Sequence, residues 1–186
     1  MRRLLLIIDP QVDFITGTLP VPGAEKAMDS LADYITVNAD TYTEIVITAD
    51  RHPADHFSFA PQGGEWPVHC VHDSVGAAIW PRLYDAALAT GCPVTVLHKG
   101  ERPDVEEYSI FQNTYSCAAL AGIVERRGIT HIDICGLAGD VCVLSSLGDG
   151  LRVLPGIRFG VLTRYSPSLD GGKALETFIT ENLKQA

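Results

Sequence analysis

The stretch that decides the fold is Leu4-Leu5-Leu6-Ile7-Ile8-Asp9-Pro10, in which five consecutive aliphatic residues are followed at once by an aspartate and a proline. Because the run is apolar at every position, and not only at every second one, other parts of the chain must cover both faces of the strand that it predicts. Further short apolar runs occupy residues 44–48, 94–98, 132–135 and 159–162. Together these runs predict a buried parallel sheet.

Amphipathic segments alternate with the apolar runs. They predict helices over residues 24–38, 117–127 and 172–183, and a further helix over residues 141–147. Strands that alternate with helices imply right-handed crossover connections. The predicted fold is therefore one α/β domain over residues 1–186, with three α/β/α layers and a central, mostly parallel, doubly wound sheet. In such folds the site lies at the carboxyl ends of the strands.

Composition and charge narrow the class of protein. Of the 186 residues, 46% are hydrophobic and 20% are charged, which is typical of a globular domain. Fourteen Lys and Arg against 23 Asp and Glu give a net charge of −9, which repels the phosphates of a nucleic acid. The apolar run near the amino terminus is far shorter than the roughly 20 residues of a membrane span. We expect neither a nucleic acid nor a membrane as a partner.

The chain has an odd number of cysteines and no predicted secretory segment. They are Cys70, Cys92, Cys117, Cys135 and Cys142. An odd count favours free thiols in the reducing cytoplasm over a disulfide framework. Cys135 lies inside the fourth apolar run and is interpreted as an inert buried thiol. Cys70, beside His69, is interpreted as structural, with a reactive thiol or a metal ligand as alternatives.

Reactive groups follow the predicted strands. Asp9 follows the first strand, Lys99 the third, and Cys142 the turn after the fourth. A lysine lowers the pKa of a neighbouring thiol, and a carboxylate can accept the thiol proton and return it later. Cys142 also begins a predicted helix, whose backbone N–H groups could hold an oxyanion. This set of residues predicts acyl transfer of the kind that amidases perform.

One carboxylate and three imidazoles occur within twenty residues after the second strand. They are Asp50, His52, His56 and His69. Carboxylate and neutral imidazole together suit Zn²⁺, Fe²⁺ or Mn²⁺. The pattern favours a metal site, with solvated loop histidines as the alternative.

The motifs that carry this chemistry occur in a fixed order. They are Asp9-Pro10-Gln11-Val12-Asp13-Phe14, residues 50–57 (DRHPADHF), residues 66–71 (WPVHCV), Lys99-Gly100 and residues 136–143 (GLAGDVCV). Their order and spacing resemble those of the nicotinamidase/pyrazinamidase family of isochorismatase-like cysteine hydrolases, from residue 1 to about residue 172. The Asp-x-His and Trp-Pro-x-His segments are similar to those of its metal-containing branch.

The resemblance implies a role for each residue of the catalytic set. Asp9 would be the general base, Lys99 the cation that lowers the thiol pKa, and Cys142 the nucleophile. A cis peptide between Leu137 and Ala138 would aim the N–H groups of Ala138 and Cys142 at the oxyanion.

The resemblance also implies how a metal and a substrate are held. Asp50, His52 and His69 would bind one divalent ion, zinc or iron with manganese as a further option, and His56 is a ligand in only some relatives. Phe14 and Trp66 would sandwich a heteroaromatic ring, with Tyr108 and Leu137 in the same pocket.

The implied reaction is hydrolysis of nicotinamide to nicotinate and ammonia through a cysteine thioester, in NAD salvage, with pyrazinamide also accepted. A homo-oligomer is compatible with the resemblance. Arg51 and Gly139 depart from the common family pattern, so the exact amide is less determined than the reaction. The alternatives are a superfamily amidase acting on another small amide or carbamoyl substrate, and a noncatalytic binding scaffold.

Overall fold

The computed structural model describes residues 2–183, and its strands form one parallel sheet. The strands are β1 (Arg3–Ile8), β2 (Glu44–Asp50), β3 (Val94–Lys99), β4 (His131–Gly136) and β5 (Arg158–Val161). Their spatial order is β3-β2-β1-β4-β5, and every neighbouring pair is parallel. The five apolar runs predicted as strands are thus confirmed, with bounds that move by at most two residues.

Helices connect the strands and cover the sheet. They are α1 (Val12–Ile15), α2 (Ala24–Val37), α3 (Pro81–Ala89), α4 (Thr114–Arg127), α5 (Leu144–Val153) and α6 (Lys173–Asn182). The predicted helices over residues 24–38, 117–127 and 172–183 correspond to α2, α4 and α6. Helix α3 was not predicted, and a short π-helical turn, Gly139–Val143, precedes α5. None of the helices in residues 2–183 is long and apolar enough to cross a bilayer.

Side chains of β1 point alternately into two cores, as its unbroken apolar run requires. Leu5 and Ile7 pack on the face covered by α2 and α3. Leu4, Leu6 and Ile8 pack on the face covered by α4, α5 and α6. All five are fully buried, and burying each such side chain stabilises the fold by about 1.5 to 3 kcal/mol. The predicted three-layer α/β/α architecture is confirmed.

Helix α5 is longer than its sequence predicts, because its glycines serve packing. The sequence predicted a helix that ends at residue 147, before Gly148 and Gly150, yet α5 continues to Val153. A Cβ atom at Gly150 would lie 2.7 Å from the Phe159 ring and 3.2 Å from the Phe111 ring. The two rings occupy the space that a side chain would need. This contact offsets the roughly 1 kcal/mol that glycine costs in a helix.

The strand register brings the predicted functional residues to one edge of the sheet. Asp50 is the partner of Lys99 across β2 and β3. Ile8 is the partner of Gly136 across β1 and β4, and Asp9, the next residue, donates its backbone N–H to Thr48 at 3.1 Å. Residues that are far apart in the sequence therefore meet where β1, β2, β3 and β4 end.

Candidate active site and metal site

Lys99 lies at the centre of the polar cluster at this edge. Its Nζ is 2.9 Å from Asp9 Oδ2, 2.5 Å from Asp50 Oδ1 and 3.7 Å from Cys142 Sγ. The three residues predicted as the catalytic set are thus in one cluster. All of them are at least 94% shielded from solvent, since Asp9, Lys99 and Cys142 are 0%, 1% and 6% exposed.

Burial and charge set the protonation of this cluster. Burial alone would lower the pKa of Lys99, but the carboxylates of Asp50 and Asp9 raise it well above its ordinary value. Burial raises the pKa of Asp9 in spite of the opposing charge of Lys99. Burial also raises the pKa of Asp50, but Lys99 and His52 outweigh it and the net pKa is lowered. Asp50 is therefore the carboxylate that stays ionised, and Asp9 is the one that can take up a proton.

The pKa of the Cys142 thiol depends on burial and on opposing charges. Burial raises the pKa of Cys142 well above its ordinary value, and the charges of Asp9 and Asp50 add to this effect. The charge of Lys99 opposes the rise without cancelling it. The raised pKa favours the thiol form of Cys142 over the thiolate, and a carboxylate oxygen of Asp9 lies within 4.8 Å of Sγ.

Asp9 is held by its backbone and by Thr48. It has φ 45°, an uncommon conformation for a residue other than glycine. The hydroxyl of Thr48 donates to Asp9 Oδ1 at 2.7 Å. One carboxylate oxygen is thereby fixed, and Oδ2 faces Lys99. Sequence reasoning missed Thr48, which is an interior residue of an apolar strand.

Asp50, His52 and His69 form the group that could hold a metal. One donor atom from each lies within 4.8 Å of the others, and all three residues are buried. His52 Nδ1 contacts the Gly100 carbonyl at 2.9 Å, and His69 Nδ1 contacts the Pro67 carbonyl at 2.7 Å. If each Nδ1 carries the proton, each Nε2 is a free donor atom.

The pKa values of the two imidazoles shift in opposite directions because their neighbours differ. Burial opposes protonation of His52, but the hydrogen bond and charge of Asp50 outweigh it and raise its pKa. Asp50 Oδ2 lies 3.7 Å from His52 Nε2. Burial lowers the pKa of His69. One carboxylate and two imidazoles, each with a free Nε2 when the ring is neutral and Nδ1 carries its proton, match the ligands that a divalent ion such as zinc prefers, so the donor set fits a metal.

His56 is held differently from the other predicted ligands. Its Nδ1 lies 2.7 Å from Ser58 Oγ, and its Nε2 lies 3.0 Å from the Val105 carbonyl. The donor group of Asp50, His52 and His69 does not include it. The ring stacks near His52, with centroids 4.3 Å apart. A ligand role for His56 stays a prediction that this geometry does not favour.

A buried glutamate supports the ring of His52, a predicted metal ligand. Glu107 Oε2 accepts the Gly100 N–H at 2.7 Å and the Asn113 side-chain amide at 3.0 Å. Gly100 in turn accepts His52 Nδ1. A Cβ atom at Gly100, which has φ +71°, would lie 2.4 Å from the His52 ring, so only glycine fits there. Sequence reasoning missed Glu107.

Two polar side chains near α1 fix the metal-ligand loop. Gln11 accepts the Asp50 N–H at 2.7 Å and donates to the Asp50 carbonyl at 2.8 Å. Asp13 accepts the Cys70 N–H at 2.7 Å, next to His69. Both belong to the first quoted motif, but the sequence did not indicate what they contact.

A pocket opens above the cluster and encloses about 440 Å³ of space, part of it open to solvent. The predicted substrate residues Phe14, Trp66 and Tyr108 line it, together with Cys142 and Ala138. Trp66 Nε1 donates to the Tyr108 hydroxyl at 3.1 Å, which fixes two of the aromatic walls. These walls suit a flat ring.

The position of Leu137 differs from the prediction that this residue lines the substrate pocket. It is fully buried in the core, because its N–H donates to the Ile8 carbonyl at 2.8 Å and keeps it against the sheet. The peptide between Leu137 and Ala138 is cis, as the resemblance implied. Ala138 reaches the pocket, and its N–H donates to no acceptor among residues 2–183.

Leu169 completes the pocket on the side of the nucleophile turn. Its backbone is fixed by Asp140, a residue of that turn. The Asp140 carboxylate accepts the N–H groups of Leu169 at 3.0 Å and of Asp170 at 2.9 Å.

Comparisons with known proteins agree with this geometry. The family model described as "Isochorismatase domain" matches residues 3–152. The chain is 32% identical to the nicotinamidase/pyrazinamidase of Mycobacterium tuberculosis, over 95% of this chain and 90% of that protein. It is also 32% identical to the nicotinamidase of Escherichia coli, over 87% of this chain and 81% of that protein.

A solved structure gives the same result for the fold. The pyrazinamidase of Pyrococcus horikoshii in complex with zinc superposes with a TM-score of 0.84 and 31% identity, over 99% of this chain and 98% of that one. Family model, curated relatives and fold coincide over most of the chain. The chain therefore belongs to the isochorismatase domain family, and within it to the nicotinamidase/pyrazinamidase group.

Proposed function

We propose that this chain is an amidohydrolase that converts nicotinamide to nicotinate and ammonia, with Cys142 as nucleophile, and that it also accepts pyrazinamide. The observation that carries the proposal is the position of Lys99 Nζ, which lies 2.9 Å from Asp9 and 3.7 Å from Cys142 below a pocket with aromatic walls. The chain's membership of the nicotinamidase/pyrazinamidase group supports this substrate class. The reaction supplies nicotinate for NAD salvage.

The first half of the reaction is acylation of the thiol. Asp9 takes the Cys142 proton as Sγ attacks the carboxamide carbon, so that the thiolate forms only as it is consumed. The N–H groups of Ala138 and Cys142 are proposed to hold the oxyanion of the tetrahedral intermediate. Asp9 then gives its proton to the departing nitrogen, and ammonia leaves a thioester on Cys142.

The second half is hydrolysis of the thioester. Asp9, again a carboxylate, takes a proton from water, and the water oxygen attacks the thioester carbon. Collapse of the second tetrahedral intermediate breaks the C–S bond, releases the carboxylic acid and returns the proton to Cys142. Throughout, Lys99 keeps its positive charge, because the carboxylates of Asp9 and Asp50 raise its pKa, and it balances the negative charge that passes between Asp9 and Cys142.

A divalent metal ion fits the donor set of Asp50, His52 and His69, and we propose zinc or iron, with manganese as a further option. When bound, such an ion supplies a Lewis-acid contact for a ring nitrogen or a water molecule. Phe14 and Trp66 would orient the ring, with Tyr108 bonded to Trp66 at the pocket wall. We propose His56 as a further ligand only if its ring exchanges a present hydrogen bond for the ion, because both ring nitrogens already have partners.

Broader properties of the chain are also proposed. A single domain over residues 1–186 is supported by the single sheet and by the long family match. A cytoplasmic location is supported by the five cysteines, all free thiols. The substrate is a small molecule, and the protein acts alone or as a homo-oligomer.

The experiment that tests the function is ammonia release from purified enzyme supplied with nicotinamide, pyrazinamide, an aliphatic amide and an N-carbamoyl amino acid. We expect the two heteroaromatic amides to be hydrolysed with kcat/KM at least about a hundredfold above the other two, because only they fill an aromatic pocket. Preference for the N-carbamoyl or aliphatic amide would replace nicotinamidase with another amidase of the superfamily.

A further inference from the structure

The proposed reaction changes the charge of the bound molecule. A neutral carboxamide enters the pocket, and a carboxylate must leave it. Interactions that hold the anion as well as the amide would slow release and leave the enzyme inhibited by its product. A negative charge in the pocket wall acts on the two molecules differently, because it repels the anionic carboxylate and not the neutral amide.

The pocket wall carries one such charge. Among the described residues that line the pocket, none is a lysine or arginine, and the carboxylates are Asp50 and Glu106. Asp50 is paired with Lys99 at 2.5 Å. Within residues 2–183 Glu106 belongs to no ion pair. Among the described residues it is therefore the negative charge in the pocket wall that no lysine or arginine side chain balances.

Glu106 lies in the same pocket as the aromatic residues that are proposed to hold the ring. Its Oε1 accepts the Glu107 N–H at 3.2 Å, which restrains the carboxylate. It lines the same pocket as His69, Tyr108 and Cys142. Its charge contributes to the electrostatics of both His69 and Tyr108. Because the residue is half-buried, bulk water screens its field less than that of an exposed glutamate.

We propose that Glu106 is a specificity-determining residue that repels the carboxylate product, and any anionic ring substituent, while it leaves the neutral heteroaromatic amide bound. This inference rests on the proposed function, which names the amide and its product. Glu106 excludes anionic pyridines and pyrazines from the pocket, and it accepts rings that are neutral or cationic.

The test measures binding of two ring molecules by calorimetry, in the enzyme as purified and in Glu106→Gln. Nicotinate is the anionic probe and pyridine-3-methanol is the neutral one. We expect Glu106→Gln to bind nicotinate about threefold more tightly, and pyridine-3-methanol within about 1.5-fold of the original enzyme. In 1 M NaCl the nicotinate difference should shrink toward unity, because salt screens a charge that is half-buried.

Glu65→Gln is the matched control. It removes the same charge from a residue that is exposed and borders the neighbouring groove rather than the pocket. We expect Glu65→Gln to change the affinity for nicotinate by less than about half of the change that Glu106→Gln produces. An equal change in Glu65→Gln, equal changes for both probes in Glu106→Gln, or no change for nicotinate would each overturn the inference.

Turnover separates this inference from the proposed function. Ammonia release from nicotinamide tests the function alone, and the ratio of the two binding constants tests Glu106 alone. In steady-state assays Glu106→Gln should show about threefold stronger inhibition by nicotinate, with the KM for nicotinamide nearly unchanged. If nicotinamide is not hydrolysed but the binding ratio shifts, the proposed function and the role in product release fail, and only the exclusion of anionic rings by Glu106 is supported.

Discussion

The two halves of the site are positioned by different means. Asp9 and Lys99 follow or end strands, and Cys142 lies in the turn after β4, so the sheet register fixes how they meet. His52 and His69 lie in the long connection between β2 and α3, whose only regular element is the short 3-10 helix Ala60–Gln62 among the described residues. Backbone carbonyls of Gly100 and Pro67 orient these two rings.

The comparison teaches which changes each half tolerates. The catalytic half depends on buried charges that balance one another, so it responds most to loss of a charge. The metal-ligand half depends on hydrogen bonds that orient imidazoles, so it responds to loss of an acceptor or donor far from the ion. Asp50 belongs to both halves, since Oδ1 contacts Lys99 and Oδ2 faces His52.

The largest effect should come from Cys142→Ala, which removes the nucleophile of the catalytic half. We expect ammonia release to fall at least about a thousandfold, because no other group can form the thioester. Circular dichroism and metal content should stay unchanged. Cys135→Ala is the control, a fully buried thiol outside the pocket, and should lower the free energy of unfolding by about 1 kcal/mol with activity nearly retained. Activity of Cys142→Ala within tenfold of the original enzyme would remove this assignment.

The next effect concerns charge within the catalytic half. Because Asp9 raises and Lys99 lowers the pKa of Cys142, Asp9→Asn and Lys99→Met should shift the pH of thiol alkylation in opposite directions. Iodoacetamide should alkylate Cys142 at lower pH in Asp9→Asn and at higher pH in Lys99→Met, as followed by mass spectrometry. Asp9→Asn should also lose about a hundredfold to ten-thousandfold of its turnover.

Lys99→Met leaves two buried carboxylates without their cation. We expect this change to lower the free energy of unfolding by about 3 to 5 kcal/mol. If Lys99→Met does not fold, Asp9→Asn alone tests whether Asp9 is the partner of the thiol. An alkylation profile that does not move, or near-normal ammonia release by Asp9→Asn, would show that Asp9 is not the partner of the thiol.

The metal-ligand half should break at its imidazoles. His52→Ala or His69→Ala should lower bound metal well below one ion per chain, measured by atomic emission after dialysis, because each change removes one of three donors. We expect nicotinamide binding to weaken more than the alkylation rate of Cys142 changes. His72→Ala, on an exposed imidazole, is the matched control. Unchanged metal content in both ligand variants would exclude this group as the metal site.

The smallest effect should come from Glu107→Gln, which tests whether support behind a ligand matters. The change weakens the acceptor of the Gly100 N–H, which holds the carbonyl that orients His52. We expect metal affinity, measured by competition with a chelator, to fall about tenfold. Glu125→Gln, on the exposed face of α4, should leave metal affinity unaltered. Equal affinities in the two variants would limit Glu107 to a structural role.

The sequence predicted the catalytic half better than the metal-ligand half, for a physical reason. Parallel strands end at one edge, so Asp9, Asp50 and Lys99 could be brought together from strand positions alone. Gln11 and Thr48 act through contacts across the sheet edge, and Glu107 acts through contacts within the connection after β3. No spacing in the chain indicates such contacts. Orientation of the His52 imidazole likewise depends on the carbonyl of Gly100, which is distant in the sequence.

The remaining differences in the fold are local. Helix α3 has nine residues, with Leu83 and Ala87 buried, and so short an apolar pattern does not stand out from a loop. The end of α5 was misplaced because Gly150 reads as a helix breaker, while it serves the packing of Phe159 and Phe111. Leu137 was placed in the pocket because it adjoins Ala138, but its hydrogen bond to Ile8 keeps it in the core.

Asp140 has a consequence for how this pocket can diverge. The carboxylate ties the backbone of Leu169 and Asp170 to the turn that carries the nucleophile. An insertion or deletion in the segment before α6 would have to keep the N–H groups of Leu169 and Asp170 hydrogen-bonded to the Asp140 carboxylate. Exchange of the Leu169 side chain needs no such repair. We therefore expect changes in substrate choice to arise from single residue replacements on this hydrogen-bonded segment. A laboratory library at position 169 samples such replacements directly.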